Sequence, residues 1–164
     1  MTRIRLYRDG DRGQLRELAV LNYRTLFPST DSRESAAALN HYVDHILSLS
    51  EKGTGQILVA EEAGRLVGFV CLQGPVLAGT LDNSGHESHG FMSDLFVAED
   101  CRQRGIGALL LERVETLAEG QRIGKLVLRV AAGNEMARRF YHRRHYREEF
   151  LVMSKALVRR TPAG

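Results

Sequence analysis

The chain contains little cysteine: only Cys71 and Cys101 occur among its 164 residues. They lie far apart, without the short spacing that metal-binding and redox pairs share. The sequence therefore predicts neither a disulfide framework nor a zinc site. Free thiols are typical of a reducing compartment, so we expect a cytoplasmic protein.

The chain also lacks a long apolar run. Its first residues, MTRIRLYRDGDRGQL, contain no apolar core of the kind that a signal peptide needs. No segment approaches the about 20 apolar residues of a membrane span. We therefore expect a soluble, intracellular protein without a membrane partner.

Neither sign of charge is in large excess, since 23 basic residues face 20 acidic ones and the net charge is +3. Such a balance gives little attraction for a polyanion, so we expect no nucleic-acid partner. One cluster, ARRFYHRRHYR at residues 137–147, combines basic and aromatic side chains and keeps nucleic-acid contact open as an alternative. A solvated helix face, or an aid in holding a cofactor phosphate, is the favoured interpretation of this cluster.

Internal repeats, linkers and low-complexity tracts are absent too. With 43% hydrophobic residues, a chain of 164 residues can build one sizeable core. We predict a single domain over residues 1–164, with a core from about residue 3 to about residue 158.

The first half of the chain predicts a strand, two helices and a hairpin. RIRLY, at residues 3–7, alternates basic and apolar residues as a half-buried strand does. Residues 14–27, and a second segment that Ser32 can cap, have apolar residues at helical spacing. The runs 56–61 and 65–72 are separated by a short turn and predict a hairpin. Residues 74–90 show no period and predict a loop bordering a site.

The second half predicts a strand, a helix and a second strand. FMSDLFVAED, at 91–100, has strand composition, residues 106–120 have helical periodicity, and KLVLRVAA, at 125–132, is a buried strand. Such a crossover makes its two strands parallel, whereas the rest of the sheet is expected to be antiparallel. Asn134 can cap a last helix that ends near Arg143, and YREEFLVMSKAL, at 146–157, predicts a terminal strand. The predicted class is α+β, with a mixed, mostly antiparallel, twisted sheet of about six to seven strands.

A glycine pair, Gly105 and Gly107, stands where the second-half helix begins. Glycines there can satisfy a tight turn and close packing. Alternatively, they can leave backbone amides free to hold a phosphate at the positive end of the helix. A Walker loop is disfavoured because neither Lys nor Ser or Thr follows Gly107. A dinucleotide fold is disfavoured because the motif lies late in the chain and lacks the third glycine.

The residues RQRGIG, at 102–107, match the signature Arg/Gln-x-x-Gly-x-Gly/Ala of the GNAT superfamily of acyl-CoA-dependent N-acetyltransferases. The stretch SDLFVAEDCRQRGIGALLLERV resembles that family's central strand, pyrophosphate loop and helix. NEMARRFYHRRHY resembles its later segment N-x-x-A-x-x-F-Y-x-x-x-G-F, with His145 and Tyr146 where the family usually has Gly-Phe. With the two early helices and the hairpin, the resemblance spans nearly the whole chain.

The resemblance implies the GNAT fold, with helices on both faces of the sheet and the parallel crossover at the cofactor site. It implies transfer of an acetyl group from acetyl-CoA to a primary amine by direct attack in a ternary complex. No metal is implied, and a homodimer is a family-level expectation. The acceptor stays open between a small molecule, a polyamine, an antibiotic and a protein.

The resemblance also implies cofactor contacts. The central strand and its parallel neighbour splay apart in this family, and the pantetheine arm lies in the gap. By position, the residues that bind the cofactor through the strand, the loop and the later motif would be Leu95, Phe96, Val97, Arg102, Gln103, Arg104, Gly105, Ile106, Gly107, Ala108, Asn134 and Ala137. The amides of residues 103–108 would hold the pyrophosphate, and the two arginines would add positive charge.

The resemblance further implies catalytic roles. Tyr141 matches the family tyrosine near the cofactor sulfur, whose phenol can donate a proton to the departing thiolate. Asp94 is the leading candidate for binding the acceptor ammonium or for water-mediated base catalysis, with Glu87 and His89 as rivals. An oxyanion would be met by a central-strand amide of Phe96 or Val97, where a bulge would free an N–H from sheet pairing.

Two other interpretations remain beside acetyl transfer. A non-catalytic acyl-CoA-binding or sensing module would keep the loop without turnover, and the Tyr141 match argues against it. His86, Glu87 and His89 resemble a fragment of a metal site, which is disfavoured because no further ligand is evident.

Overall fold

The computed structural model describes residues 1–28, 33–76, 89–149 and 152–155. The chain divides into two compact units, Met1–Arg129 and Val130–Gly164. The strands and helices of the first unit are, in order, β1 (Arg3–Leu6), α1 (Arg12–Leu26), α2 (Arg33–Glu51), β2 (Gly55–Glu62), β3 (Arg65–Val76), β4 (His89–Val97), α3 (Ile106–Gly120) and β5 (Lys125–Leu128). The second unit contains α4 (Glu135–His142).

The five strands form one sheet in the order β1-β2-β3-β4-β5. The first three pairings are antiparallel and the β4–β5 pairing is parallel. Because α3 connects the parallel strands, the predicted crossover is confirmed. The predicted hairpin is confirmed as well: Ala63 (φ 46°) and Gly64 (φ 81°) join β2 to β3, and two left-handed residues are typical of a tight hairpin turn.

Helices pack on both faces of this sheet. On one face, Phe69 and Cys71 of β3 belong to a fully buried cluster with residues of α1 and α2. On the other face, a Cβ placed at Gly68 of β3 would lie 3.2 Å from Leu110 Cδ1 of α3. The alternation of strand side chains thus sends odd and even positions of β3 to different helices. β4 contributes buried residues to this packing, whereas all four residues of β5 are half-buried, so the strand predicted as buried at 125–132 is less buried than expected.

The α+β class with a mostly antiparallel sheet is confirmed. Five strands occur among the described residues, fewer than the predicted six to seven. β5 ends at Leu128, four residues before the predicted strand end at Ala132. The predicted terminal strand is not formed in residues 146–149 and 152–155, where the backbone is irregular.

The predicted loop at 74–90 is shorter than expected at both ends, because β3 continues to Val76 and β4 begins at His89. Residues 77–88 of that loop, Ser32, His86 and Glu87 lie outside the described residues. The single-domain prediction remains a prediction. Among the helices of the described residues, none is long and apolar enough to cross a membrane.

Candidate active site

β4 has a parallel neighbour over only half of its length. β5 pairs with residues His89–Met92, whereas β4 continues to Val97. The edge of β4 from residue 93 onward therefore has no strand partner on the β5 side among the described residues. A sheet edge of this kind presents unpaired peptide groups that an extended ligand can satisfy.

A bulge marks the point where the parallel pairing ends. In the register between β3 and β4, Cys71 faces Asp94 and Leu72 faces Met92, so Ser93 is an extra residue without a partner. A bulge bends its strand and increases the local twist. The bend coincides with the last β4–β5 pair, which gives a physical reason for the early end of β5.

The expected bulge at Phe96 or Val97 was therefore misplaced along the strand. Phe96 and Val97 stay in regular register with Phe69 and Gly68. Regular side-chain packing of Phe96 against Phe69, with ring centroids 6.0 Å apart, holds this part of β4 straight against β3.

Backbone alternation decides which peptide groups of β4 face the open edge. Ala98 N–H donates to the Val67 carbonyl of β3 at 2.8 Å. In an antiparallel pair, successive residues point their peptide groups to opposite edges. Leu95 and Val97 therefore direct their N–H and C=O groups to the open edge, whereas Phe96 directs its groups toward β3.

The loop before α3 presents a run of backbone amides. Gly105 is the N-cap and has a left-handed φ of 80°, with no other atom within 4 Å of a Cβ built there. The glycine is thus required by backbone conformation and not by crowding. Ala108 N–H donates to the Gly105 carbonyl at 2.9 Å. No backbone hydrogen bond among the described residues uses the amides of residues 103–107, so five of the six predicted amides remain.

Both loop arginines have partners within the fold. Arg102 Nε donates to the Val97 carbonyl at 3.1 Å, which fixes the loop to the end of β4. Arg104 forms an ion pair with Glu62 of β2, at 2.9 Å between Nη2 and Oε1. The N-terminus of α3 is the main source of positive potential at the loop, because the ion pair with Glu62 partly neutralises the charge of Arg104.

Asp94 lies in a polar cluster on the α1–α2 face of the sheet. Its Oδ1 accepts a hydrogen bond from the Tyr42 hydroxyl at 2.5 Å and one from Asn22 Nδ2 at 3.2 Å. Asn22 Nδ2 also donates to the Tyr42 hydroxyl oxygen at 2.7 Å. Asn22, Tyr42 and Asp94 form the Asn22–Tyr42–Asp94 cluster, which joins α1, α2 and β4.

The donors around Asp94 are neutral. Burial, and then the nearby Asp94 carboxylate, raises the pKa of Tyr42 far above its ordinary value, so the phenol stays protonated. Burial and the same carboxylate raise the pKa of the neighbouring Cys71 thiol. None of the ion pairs among the described residues includes Asp94. Its carboxylate is therefore hydrogen-bonded and has no cationic partner in the part of the chain that the structure describes.

Sequence reasoning missed Asn22 and Tyr42 as site residues. Asn22 is only 6% exposed and lies on the buried face of α1 with Leu15, Leu18 and Ala19. A lone amide on an otherwise apolar helix face was the available signal, because buried polar groups need partners. Tyr42 gave no such signal, since tyrosines are common in cores.

Of the two rival candidates for base catalysis, His89 lies away from Asp94 and Glu87 is outside the described residues. His89 is buried at the start of β4 and pairs with Lys125. Asp94 lies five positions further along β4, which corresponds to about 16 Å of extended strand. Within the described ranges, no group of three side chains is suited to a metal ion.

In the second unit, the residues of the later motif lie on and before α4. Asn134 is the N-cap, and its Oδ1 accepts the Ala137 N–H at 3.1 Å, as the sequence predicts for a cap. Tyr141 is half-buried. Its ring contacts Phe140 and Tyr146, with centroid distances of 5.1 and 5.5 Å. The aromatic surroundings hold the Tyr141 ring in a defined orientation.

The departure from the family's Gly-Phe preserves the turn after α4. His145 adopts a left-handed φ of 65°, the conformation that glycine takes without strain. Histidine is among the non-glycine residues that tolerate this region better than most. Tyr146 N–H then donates to the Tyr141 carbonyl at 3.2 Å, so His145 and Tyr146 close the helix as Gly-Phe would.

The basic cluster at 137–147 is largely occupied by local partners. Arg138 forms an ion pair with Glu148 at 2.7 Å, and Arg139 forms one with Glu135 at 2.5 Å. Arg144 stacks over the Phe140 ring at 4.3 Å. These contacts support the interpretation as a solvated helix face.

Comparisons with known proteins give a family match and a related sequence. Residues 12–146 match the model of the Acetyltransferase (GNAT) family. An uncharacterized N-acetyltransferase of Methanocaldococcus jannaschii is 35% identical over 95 residues, which cover 57% of this chain and 54% of that relative. The match thus spans about half of the relative's length.

Solved structures share the fold. A GCN5-related N-acetyltransferase from Ralstonia eutropha superposes with a TM-score of 0.72 at 23% identity, covering 96% of this chain and 99% of that one. AAC(6')-Iy, solved with the bisubstrate analogue CoA-S-monomethyl-acetylneamine, gives a TM-score of 0.69 at 16% identity, with coverage of 96% and 99%. The predicted GNAT fold is confirmed, and the chain belongs to the acetyltransferase (GNAT) family.

Proposed function

We propose that the protein transfers an acetyl group from acetyl-CoA to a primary amine of a small molecule or a protein, by direct attack in a ternary complex. The observation that carries this proposal is the run of five amides at residues 103–107, next to the open edge of β4. Acetyl-CoA fits both features, since it combines a pyrophosphate with an extended, amide-containing arm. When bound, it supplies the activated thioester.

The amides of residues 103–107 hold the pyrophosphate in this proposal, because they have no backbone acceptor among the described residues. Leu95 and Val97 bind the pantetheine arm through the peptide groups that alternation directs to the open edge. Phe96 contributes core packing, since its peptide groups face β3. Arg102 keeps loop and strand together through the Val97 carbonyl.

Asn134 and Ala137 are proposed as further cofactor contacts. The Ala137 amide is engaged by the cap, so Asn134 offers its remaining amide hydrogens. Tyr141 is proposed as the acid that donates to the departing thiolate. Asp94 is proposed as the group that meets the acceptor ammonium and accepts its proton, directly or through a water, so that the neutral amine can attack the thioester. Its carboxylate has no cationic partner among the described residues and lies next to the open edge of β4.

Two measurements test the proposal in sequence. Acetyl-CoA should raise the melting temperature, while acetate and adenosine should not. Thiol release should then be followed colorimetrically over a panel of polyamines, neamine-type amines and peptides with free amino groups. A shift with turnover of at least one amine supports acetyl transfer. A shift without turnover across the panel indicates the non-catalytic acyl-CoA-binding module, and the absence of both removes the proposal.

A further inference from the structure

The Asp94 carboxylate uses its two oxygens unequally. Both hydrogen bonds from described residues end on Oδ1, where the Tyr42 hydroxyl and Asn22 Nδ2 meet. Oδ2 receives no hydrogen bond from any described residue. Asp94 is half-buried and directly follows the bulged residue Ser93 on β4.

The donors of the cluster form a directed chain. Asn22 donates to Tyr42, and Tyr42 in turn donates to Asp94, at 2.7 and 2.5 Å. Tyr42 has its phenol ring against Tyr23, with centroids 5.4 Å apart, and Asn22 is buried in α1. Both donors are thus held by packing, and a donor whose own side chain is fixed also fixes the group that accepts from it.

Neutral donors orient a carboxylate without cancelling its charge. A cation at the same place would neutralise Asp94 and weaken its attraction for a second cation. We propose that Asn22 and Tyr42 are positioning residues which hold Oδ1, so that Oδ2 faces the ammonium group of the acceptor amine. The assignment rests on the proposed acetyl transfer and makes the preferred acceptor an amine that arrives protonated.

A double-mutant cycle on kcat/KM tests this assignment with the best amine of the panel. Asp94→Asn should lower kcat/KM for the amine by about a hundredfold, and Tyr42→Phe by about tenfold, because hydrogen bonds to charged groups are worth more than neutral ones. Tyr42→Phe should cause no further loss in the Asp94→Asn background, because the hydroxyl acts through the carboxylate. KM for acetyl-CoA should stay unchanged in all variants.

The matched control is Tyr23→Phe, which removes a hydroxyl from the same aromatic group without touching Asp94. It should leave kcat/KM within about twofold, in line with substitutions away from a coupled network. Rescue offers a second readout: with Asp94→Glu, Tyr42→Phe should again lower kcat/KM. Additive losses for Tyr42→Phe and Asp94→Asn, or equal losses for Tyr42→Phe and Tyr23→Phe, would overturn the assignment.

Failure of the assignment and failure of the proposed function give different results. Normal wild-type turnover with additive losses removes only the positioning role. A wild-type protein that shows neither a melting shift with acetyl-CoA nor turnover of any amine removes both.

Discussion

Two carboxylates of the first unit have opposite surroundings. Asp11, before α1, accepts two hydrogen bonds from the Arg5 guanidinium at 2.6 and 2.8 Å and one from the Arg8 N–H at 2.9 Å. Asp94, on β4, accepts from two neutral donors on one oxygen only. The Arg5 guanidinium balances the charge of the Asp11 carboxylate. The Asp94 carboxylate has no cationic partner among the described residues, so its charge is available to a bound ligand.

Backbone groups near the Arg5–Asp11 pair and those of the candidate site also differ in whether they have hydrogen-bond partners. β1 and β2 pair along the full length of β1, next to the Arg5–Asp11 pair. The amides of residues 103–107 and the outer edge of β4 lack such partners among the described residues. Paired groups stabilise the folded chain, whereas unpaired polar groups gain most when a ligand satisfies them. Damage to the first region should therefore affect stability, and damage to the second should affect binding and turnover.

The largest effect on stability is expected from Asp11→Ala. The Arg5 and Asp11 side chains are only 12% and 10% exposed, and removal of the carboxylate takes away two hydrogen bonds of the guanidinium, which keeps Glu61 as its other carboxylate partner. Such a loss of charged hydrogen bonds costs about 2 kcal/mol of unfolding free energy. Urea unfolding measures this loss, with exposed Asp9→Ala as the control. The melting shift caused by acetyl-CoA should survive; its disappearance would contradict the division between the two regions.

Acid titration gives the same pair a second test. The hydrogen bonds from Arg5, and then that from Arg8, lower the pKa of Asp11 below its ordinary value. At a pH between the lowered pKa of Asp11 in the folded chain and its ordinary pKa in the unfolded chain, the unfolded chain binds more protons. The free energy of unfolding therefore falls as the pH falls through this interval. Wild-type melting temperatures should decline more steeply below pH of about 4 than those of Asp11→Asn. Parallel declines would mean that the pair contributes no pH-dependent stability.

A large effect on kcat is expected at Tyr141, a single group whose proposed role exists only during reaction. Tyr141→Phe keeps the ring contacts with Phe140 and Tyr146 and removes the proton donor. We expect kcat to fall about a hundredfold with little change in acetyl-CoA affinity, as for loss of a general acid. Tyr146→Phe is the matched control. Unchanged kcat in Tyr141→Phe would remove the acid role.

The loop before α3 and the Asn22–Tyr42–Asp94 cluster differ in how far the sequence predicts them. The α3 loop depends on consecutive residues and on one glycine conformation, so RQRGIG was sufficient to predict it. The Asn22–Tyr42–Asp94 cluster joins residues from three elements, and only folding brings them together. Neither the bulge at Ser93 nor the choice between Leu95 and Phe96 at the open edge was predictable, because both depend on strand register.

The amide loop itself should respond to Gly105→Ala. Its φ of 80° is strained for alanine, so we expect a loss of about 1 to 2 kcal/mol in unfolding free energy. Relaxation of the strain would move the neighbouring amides and weaken acetyl-CoA binding about tenfold, as misplacement of several hydrogen bonds does. Calorimetric titration and urea unfolding measure both effects. Gly124→Ala is the control, since Gly124 has no left-handed φ and no atom near a Cβ built there. Unaltered affinity would restrict the glycine to a purely structural role.

The smallest effect is expected at the ion pair between Glu62 and Arg104, which joins β2 to the loop before α3. Glu62 competes with a bound pyrophosphate for the charge of Arg104, so Glu62→Gln should strengthen acetyl-CoA binding about threefold at low salt. Arg104→Gln should weaken it by a similar factor, and added salt should reduce both effects because it screens exposed charges. Glu51→Gln, which breaks the exposed pair with Arg12 between α1 and α2, should change nothing in calorimetric titrations. If the Glu62 and Arg104 variants shift affinity in the same direction, the pair acts through loop structure. If the two variants shift the affinity in opposite directions, Glu62 competes with the bound pyrophosphate for the positive charge of Arg104.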